Sequence, residues 1–280
     1  MQLRTKVLLG AAASLVLAPV LASAAITPIS TIYFAGGTPP TYTDGIYEGG
    51  TAGTYQNVTG TVTGILDSST SFGNNTFVLT DSTGSVVVYH IPLTTYTAAL
   101  GDNITLGNAN NSPYQNSPEI VNSTKTSTIS ITKNSSGNSF TTPVLTIPQF
   151  NSAGDGSTES NPPYAESIVT LDNVYLPAGT TSLGTKTSYT ISDQPNGAGN
   201  TAVMYTYTTY SNVAAAVNAA NALPAGSLSG PLDITGYVDM FFNQSEFYPL
   251  SITPVPEPAS VGMLALGAVG LLARRRARVS

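Results

Sequence analysis

His90 is the only histidine of the 280-residue chain, and the chain has no cysteine. Metal centres and nucleophilic relays need imidazole or thiolate groups at defined spacing. One imidazole at a strand end, followed by Ile91-Pro92, reads instead as a satisfied or solvent-facing side chain. No HExxH, GxSxG, P-loop or GxGxxG pattern is present. Asp81, Asp102, Asp193 and Asp239 fall at turns or strand ends, where a carboxylate ordinarily caps backbone N–H groups. Asp44 and Glu48 have i,i+4 spacing, but Gly45 and Gly49-Gly50 oppose a helix that would place them on one face. They read first as solvated loop acids, with calcium coordination as the alternative. The remaining chemistry is aromatic. Tyr205, Tyr207, Tyr210, Tyr237, Phe241, Phe242, Phe247 and Tyr248 could stack on sugars or on unpaired bases, with core packing as their ordinary use. No catalytic residue, cofactor or metal is expected, and the expected class is not an enzyme.

The elements that would position these residues are short strands bounded by Gly, Asn, Asp and Ser. Val58 to Leu66, Thr76 to Leu79, Ser85 to Tyr89 and Asn103 to Leu106 are the first set. Gly60 and Gly64 break a helical pattern and mark bulges or close backbone approach that lets a short sheet coil. Ile29 to Tyr33 reads as an edge strand, Leu93 to Leu100 as a short helical connection, Tyr114 to Ile120 as a closing strand and Thr126 to Thr132 as an edge guarded by Lys125 and Lys133. The Gly, Ser, Asn and Pro content of residues 151–163 marks a linker. Beyond it, Ile168 to Leu176, Ser188 to Ile191, Val203 to Tyr207, Leu232 to Asp239 and Phe247 to Ile252 read as strands. Ser211 to Leu223 is the one good helix, with Ser211 as cap and Val213, Val217, Ala220 and Leu223 as its apolar face. The expected organisation is a first β unit over 25–150, the linker, and a second β unit over 164–254.

Charge narrows the partners. Between Ala25 and Thr253 the only cations are Lys125, Lys133 and Lys186, against fourteen acidic residues, a formal charge of −11. Binding to a phosphate backbone depends on Lys and Arg, so nucleic acid is disfavoured, and a neutral glycan suits the aromatic residues better. Both ends of the chain carry processing signals. Arg4 and Lys6 precede the apolar run Val7 to Leu21, and the small residues Ala22-Ser23-Ala24 offer a signal-peptidase site after Ala24, with Ala22 and Ala24 at the cleavage positions. At the other end Val261 to Ala273 is uncharged and apolar, and Arg274, Arg275, Arg276 and Arg278 follow as a membrane-stop cluster favouring the cytoplasmic side.

The order strand, strand, strand, helix, strand, strand in the second half, matched with a shorter connector in the first, is that of an oligonucleotide/oligosaccharide-binding (OB) barrel. VTGTVTGI at 58–65, TFVLTDSTGSVVVY at 76–89 and GDNITLGN at 101–108 resemble the OB-like domains of secreted bacterial nucleases and related surface proteins. SIVTLDNVYL at 167–176, SYTISD at 188–193 and LDITGYVDMFFNQSEFYPLSI at 232–252 resemble the second member of such tandems. The fold class this implies is mainly β: two small OB-like β-barrels, one short helix in the second, and a C-terminal hydrophobic helix.

Val255-Pro256-Glu257-Pro258-Ala259-Ser260, then the apolar run, then the arginines, resembles a PEP-CTERM sorting signal over 255–280. The resemblance makes Pro256, Glu257 and Pro258 the sorting motif. It implies export in a Gram-negative bacterium, transient inner-membrane insertion through the C-terminal segment, and processing by an exosortase-like transpeptidase. The destination is the cell surface or an extracellular matrix. The expected function is a noncatalytic surface or matrix protein. The alternatives are a module binding neutral extracellular polysaccharide and, behind it, an accessory binder of single-stranded nucleic acid.

Overall fold

The computed structural model describes residues 25–33, 53–68, 73–112, 114, 117–122, 129–154, 164–241 and 244–256. The protein is mainly β, with two curled sheets. The first contains β1 (Gly53–Tyr55), β2 (Val58–Asp67), β3 (Asn74–Asp81), β4 (Gly84–Pro92), β5 (Asn103–Gly107), β6 (Ala109–Asn111), β7 (Glu119–Val121) and β8 (Ser130–Ser135). Their order is β1-β6-β7-β4-β3-β2-β5-β8. All neighbours are antiparallel except β4 and β7, which run parallel. The sheet curls back on itself because β5 and β6 are two halves of one bent run: β5 pairs with β2 while β6 pairs with β7. Both sides of the bend carry an asparagine at positive φ, Asn57 and Asn108, the residue type after glycine that best tolerates it. Gln56 locks the bend, its Nε2 donating to Asn108 Oδ1 at 2.7 Å and its Oε1 accepting from Asn108 N at 3.1 Å.

The second sheet runs β11-β12-β14-β13-β10-β9, from β9 (Val144–Leu145), β10 (Ile168–Val174), β11 (Ser188–Ser192), β12 (Thr201–Tyr205), β13 (Leu232–Phe241) and β14 (Gln244–Pro254). Again one inner pair, β12 with β14, is parallel, and a single bridge from Tyr175 to Ser192 links the end of β10 back to β11. The helix between β12 and β13, which we label α3 (Ser211–Asn221), follows α1 (Ser30–Tyr33) and α2 (Ile147–Gly154) in the chain. Among the described residues no helix is long and apolar enough to cross a membrane.

Each sheet wraps its own core, and a third apolar cluster joins them. Phe77, Leu79, Val86, Val88, Ile104 and Leu106 fill the first, and Val169, Leu171, Met204, Ile234, Val238 and Phe247 fill the second. Val78 and Val87 point the other way, into the junction with Ile168, Tyr210, Val213, Tyr237 and Tyr248. This explains why β3 and β4 are buried continuously rather than alternately: one face lines the core and the other meets the second unit. Gly64 serves the same junction, since a Cβ there would collide with the Ile168 side chain.

Several local expectations change. Ile29 to Tyr33 holds a single helical turn rather than an edge strand, because Ile29 and Ile32, three apart, are both fully buried in the first core. Burial of each is worth about 1.5–3 kcal/mol, which outweighs their β preference. The turn is held from outside by Asp81 Oδ2, which accepts from Ile29 N at 2.9 Å, and Thr83 Oγ1, which accepts from Ser30 N at 3.1 Å. Leu93 to Leu100 is turn and extended chain, not helix. Buried Asn75 takes up the backbone there, its Nδ2 donating to the Ile91 and Tyr96 carbonyls and its Oδ1 accepting from Ala98 N. The closing strand is β7, shorter than Tyr114 to Ile120, and the exposed edge is β8, displaced from Thr126 to Thr132. Strand β9 and α2, which span the end of the expected first unit and the start of the expected linker, pair and pack with the second unit through Leu145, Ile147 and Phe150. Ser211 does not cap α3; it is the first helical residue, and the buried carboxylate of Asp67 on β2 accepts from its backbone N at 3.2 Å. The helix buries Val213, Ala216, Val217 and Ala220, while Leu223 lies past its end. Asp44, Glu48, most of the expected linker and the C-terminal hydrophobic segment lie outside the described residues.

Candidate functional site

The junction opens into a cleft of about 660 Å³, within the range of small-ligand sites. Strand β4 of the first unit supplies Tyr89, the segment before β7 supplies Tyr114 and Ser117, and β7 itself supplies Glu119. The second unit contributes Ser188 of β11, Tyr205 at the end of β12, and Tyr207 and Tyr210 from the turn that leads into α3. Asp239 of β13 and Glu246 and Tyr248 of β14 complete the wall.

Tyr248 is the hub of the rings. Its centroid lies 6.0 Å from that of Tyr205, 5.9 Å from Tyr207, 6.2 Å from Tyr210 and 5.8 Å from Tyr237. Tyr205 and Tyr207 are nearly parallel at 6.0 Å, and Tyr210 meets Tyr207 edge-on at 5.0 Å. These separations are typical of favourable aromatic pairs. The phenol of Tyr248 is also fixed at its polar end, 2.6 Å from Asp239 Oδ2 and 3.2 Å from Glu246 Oε2. A phenol has one proton, so it donates to one carboxylate at a time; with Asp239 as acceptor, a protonated Glu246 can donate to the Tyr248 oxygen.

The acids are crowded. Burial, reinforced by the Asp239 carboxylate, pushes Glu119 up to about 8. Burial likewise raises Glu246, with the Tyr248 hydrogen bond opposing and Asp239 reinforcing the rise. Behind the cleft, Glu166 is completely buried between the two units, accepting from Ser117 Oγ of the first at 2.7 Å and from the Tyr237 hydroxyl of the second. Burial and then Asp239 hold its carboxyl well above the usual carboxylate range, and the Tyr237 and Ser117 hydrogen bonds only partly offset them. Away from the cleft, Asp102 shows the opposite arrangement. Burial works to raise it, but hydrogen bonds from Lys133, Tyr96 and Ser136 together bring it below its ordinary value. Lys133 Nζ lies 2.8 Å from Asp102 Oδ1, and the Tyr96 hydroxyl is 2.7 Å from Oδ2.

The aromatic residues singled out in the sequence divide three ways. Tyr205, Tyr207, Tyr210 and Tyr248 line the cleft, Tyr237 is buried beneath it, and Phe247 fills the second core edge-on to Phe150. The side chains of Phe241 and Phe242 lie outside the described residues. Asp81 and Asp193 cap turns as expected, Asp81 Oδ1 accepting from Thr83 N and Gly84 N and Asp193 Oδ1 from Asn200 N. Asp239 instead faces the cleft. His90 is exposed at φ 52° and stacks on the Tyr89 ring at 3.8 Å; partial burial lowers its pKa, with Asp67 opposing. Among the described residues no cluster of three His, Cys, Asp or Glu could hold a metal ion. Sequence reasoning missed Tyr89, Tyr114, Ser117, Glu119, Ser188, Glu246 and the buried Glu166. Ser117 and Glu119 have residue type as their only local signal, because Glu166 and Asp239, the partners that give them a role, lie in the other unit, whereas Glu246 stands two residues from its partner Tyr248.

The described chain ends at Pro256, the first residue of the expected sorting motif; Glu257, Pro258, Arg274, Arg275, Arg276 and Arg278 lie beyond it, as do Ala22 and Ala24 at the other end. Residues 254–276 match the PEP-CTERM protein-sorting motif. The chain thus carries the signal that directs exported proteins to exosortase and the cell surface. No curated protein matches the chain. Among solved structures, one described as "Structural mimicry for functional antagonism" is 11% identical, covering 70% of this chain and 90% of that one at a TM-score of 0.32. Another, described as "Crystal structure of the tetrameric p202 HIN2", is 13% identical, covering 72% and 90% at a TM-score of 0.30. Similarities at this level carry no weight for function.

Proposed function

We propose that the protein is a noncatalytic surface or extracellular-matrix protein, exported, held transiently in the inner membrane by its C-terminal segment and processed there by an exosortase-like transpeptidase. The observation that carries this reading is the PEP-CTERM motif at 254–276. Its position in the fold supports it. Pro254 is the last residue of β14, paired with Leu232, and Val255 N still donates to the Pro231 carbonyl at 2.9 Å. Strand β14 therefore reaches its last residue where the signal begins, and removal of the tail beyond Pro256 leaves it complete. The two units are OB-like barrels in this proposal. The support is that each sheet holds one inner parallel pair, β4 with β7 and β12 with β14, the short edge strand β9 of the second sheet also running parallel to β10. That pattern is how a five-stranded Greek-key barrel closes.

A second reading, binding of extracellular polysaccharide, is favoured by the tyrosine-lined cleft. Aromatic faces stack on pyranose C–H faces, and the ring hydroxyls offer hydrogen bonds at the edges. Nucleic-acid binding is disfavoured by the acidic body of the chain.

Replacing Pro256-Glu257-Pro258 with three alanines tests the sorting proposal in a host that sorts the wild-type protein. The variant should accumulate in the inner-membrane fraction and disappear from the surface and matrix fractions. An unchanged distribution would remove the motif's role.

A further inference from the structure

The cleft combines two features that a site for a neutral ligand does not need together: a set of tyrosine faces and three carboxylates, Glu119, Asp239 and Glu246, on three different strands. No lysine or arginine is among its described lining residues. The body of the chain has only Lys125, Lys133 and Lys186 to offer. Lys133 is engaged by Asp102. Lys186 stands at the rim with its Nζ 5.9 Å from the centre of the Tyr207 ring, within the distance at which a ring face attracts an ammonium group. The rim thus already accepts one cation on an aromatic face. Deeper in, the acids come from both units, so a ligand held there would tie the first unit to the second.

We propose that this cleft binds an amine-bearing saccharide, a run of hexosamine units with free amino groups, its pyranose faces on the half-buried Tyr205 and Tyr207 and its ammonium groups against Glu119, Asp239 and Glu246. The proposal rests on the reading that the cleft is a saccharide site, and it adds the chemical class of the sugar. An ammonium ion relieves the repulsion among the acids and donates charge-assisted hydrogen bonds to them. A lysine-rich peptide offers the same charge but no flat apolar faces, and the half-buried Tyr205 and Tyr207 rings in the wall favour the sugar.

The groups that face the bound amine from each packed element are Tyr89 on β4, Tyr114 before β7, Glu119 on β7, Tyr205 on β12, Tyr207 and Tyr210 before α3, Asp239 on β13, and Glu246 and Tyr248 on β14, with Glu166 behind and Lys186 at the rim. Burial favours the protonated forms of Glu119 and Glu246 in the empty cleft. A bound ammonium favours their ionised forms, so binding releases protons. Affinity should rise as the pH is raised through the acids' titration and fall again once the amine itself loses its proton.

The test is titration calorimetry on the mature protein with three probes: a glucosamine tetramer with free amines, the fully N-acetylated tetramer, and tetralysine. The expected result is binding of the free-amine tetramer about tenfold or more tighter than the other two, with heats that depend on the buffer's ionisation enthalpy. Glu119→Gln, checked for an unchanged fold by its melting curve, should lower affinity for the free-amine tetramer and leave the N-acetylated tetramer unaffected. Equal binding of both tetramers would overturn the amine inference and leave the saccharide reading standing. Binding of neither would overturn both. Tetralysine binding as tightly as the free-amine tetramer would overturn the assignment to a sugar.

Discussion

Raising the pH from about 5 to about 9 should lower the melting temperature of the protein by several degrees, and Glu166→Gln should remove a large part of that fall. Glu166 is completely buried, with hydroxyl partners from both units and the Asp239 carboxylate nearby raising it further. Its folded-state pKa lies above the unfolded value of 4.5. The folded protein therefore holds this proton more tightly than the unfolded chain does. The resulting stability is fully present below the unfolded value and is lost as the pH rises through the folded one. Glu119, pushed up to about 8, and Glu246, also raised, act in the same direction over the same window. Asp102 acts oppositely: its pKa is lowered, so its contribution is present above the unfolded value and is lost only as the pH falls through the folded one. Glutamine at position 166 keeps the shape and neutrality of the protonated acid, so Glu166→Gln should be about as stable as wild type near pH 5 and more stable near about pH 9. Glu166→Ala is different at every pH, because it strands the buried Ser117 hydroxyl and that of Tyr237 at a cost of about 1–3 kcal/mol each. Differential scanning calorimetry across this range checks the set. A melting temperature that is flat or rising from pH 5 to 9, or an undiminished slope in Glu166→Gln, would contradict the assignment.

The second large effect is steric. Gly236 sits in β13 at a register shift against β14. A Cβ there would run into the backbone carbonyl of Tyr248 and come within 2.7 Å of Phe247 Cζ. A flexible side chain could give way, but a backbone carbonyl paired in the sheet and a fully buried ring cannot do so cheaply. Gly236→Ala should therefore cost about 3 kcal/mol, at the upper end of overpacking costs, and Gly236→Val more. The damage reaches the cleft, since Tyr248 is both the obstructing residue and the hub of the rings. Gly230→Ala is the control, because nothing lies within 4 Å of a Cβ there. It should shift stability by no more than about 0.5 kcal/mol. Urea unfolding of the three variants decides the point. A Gly236→Ala protein as stable as wild type would show that the two strands can part at this position without loss.

What could be read from the chain follows from how local each cause is. Strands β2 to β5 and β10 to β14 declare themselves by β-branched runs between turn residues, and α3 by its apolar spacing, all within single segments. The ends of the chain are legible for the same reason: a sorting signal must be read by other proteins as a linear stretch. Causes that act across the fold were not legible. Ile29 to Tyr33 becomes a helical turn because a core is waiting at Ile29 and Ile32 and because Asp81 and Thr83, some fifty residues away, hold its first N–H groups. Helix α3 takes its cap from Asp67 in the other unit rather than from its own serine, and Asn212 Nδ2 donates to the Ile65 carbonyl beside it. The cleft follows the same rule. Its tyrosines were visible as a cluster from 205 to 248, but Glu119 and Ser117 gain meaning only when the two units meet.

Surface sorting depends on the tail, so the most direct measurement is the intact mass of the protein recovered from each fraction of a host that expresses it. Surface or matrix protein should begin at Ala25 and end near Pro256 to Pro258, carrying whatever group the transpeptidase adds, while any uncleaved precursor should be confined to the inner membrane. Full-length tails reaching Ser280 on the surface, or a chain found only in the membrane with its tail intact, would contradict the proposed sorting.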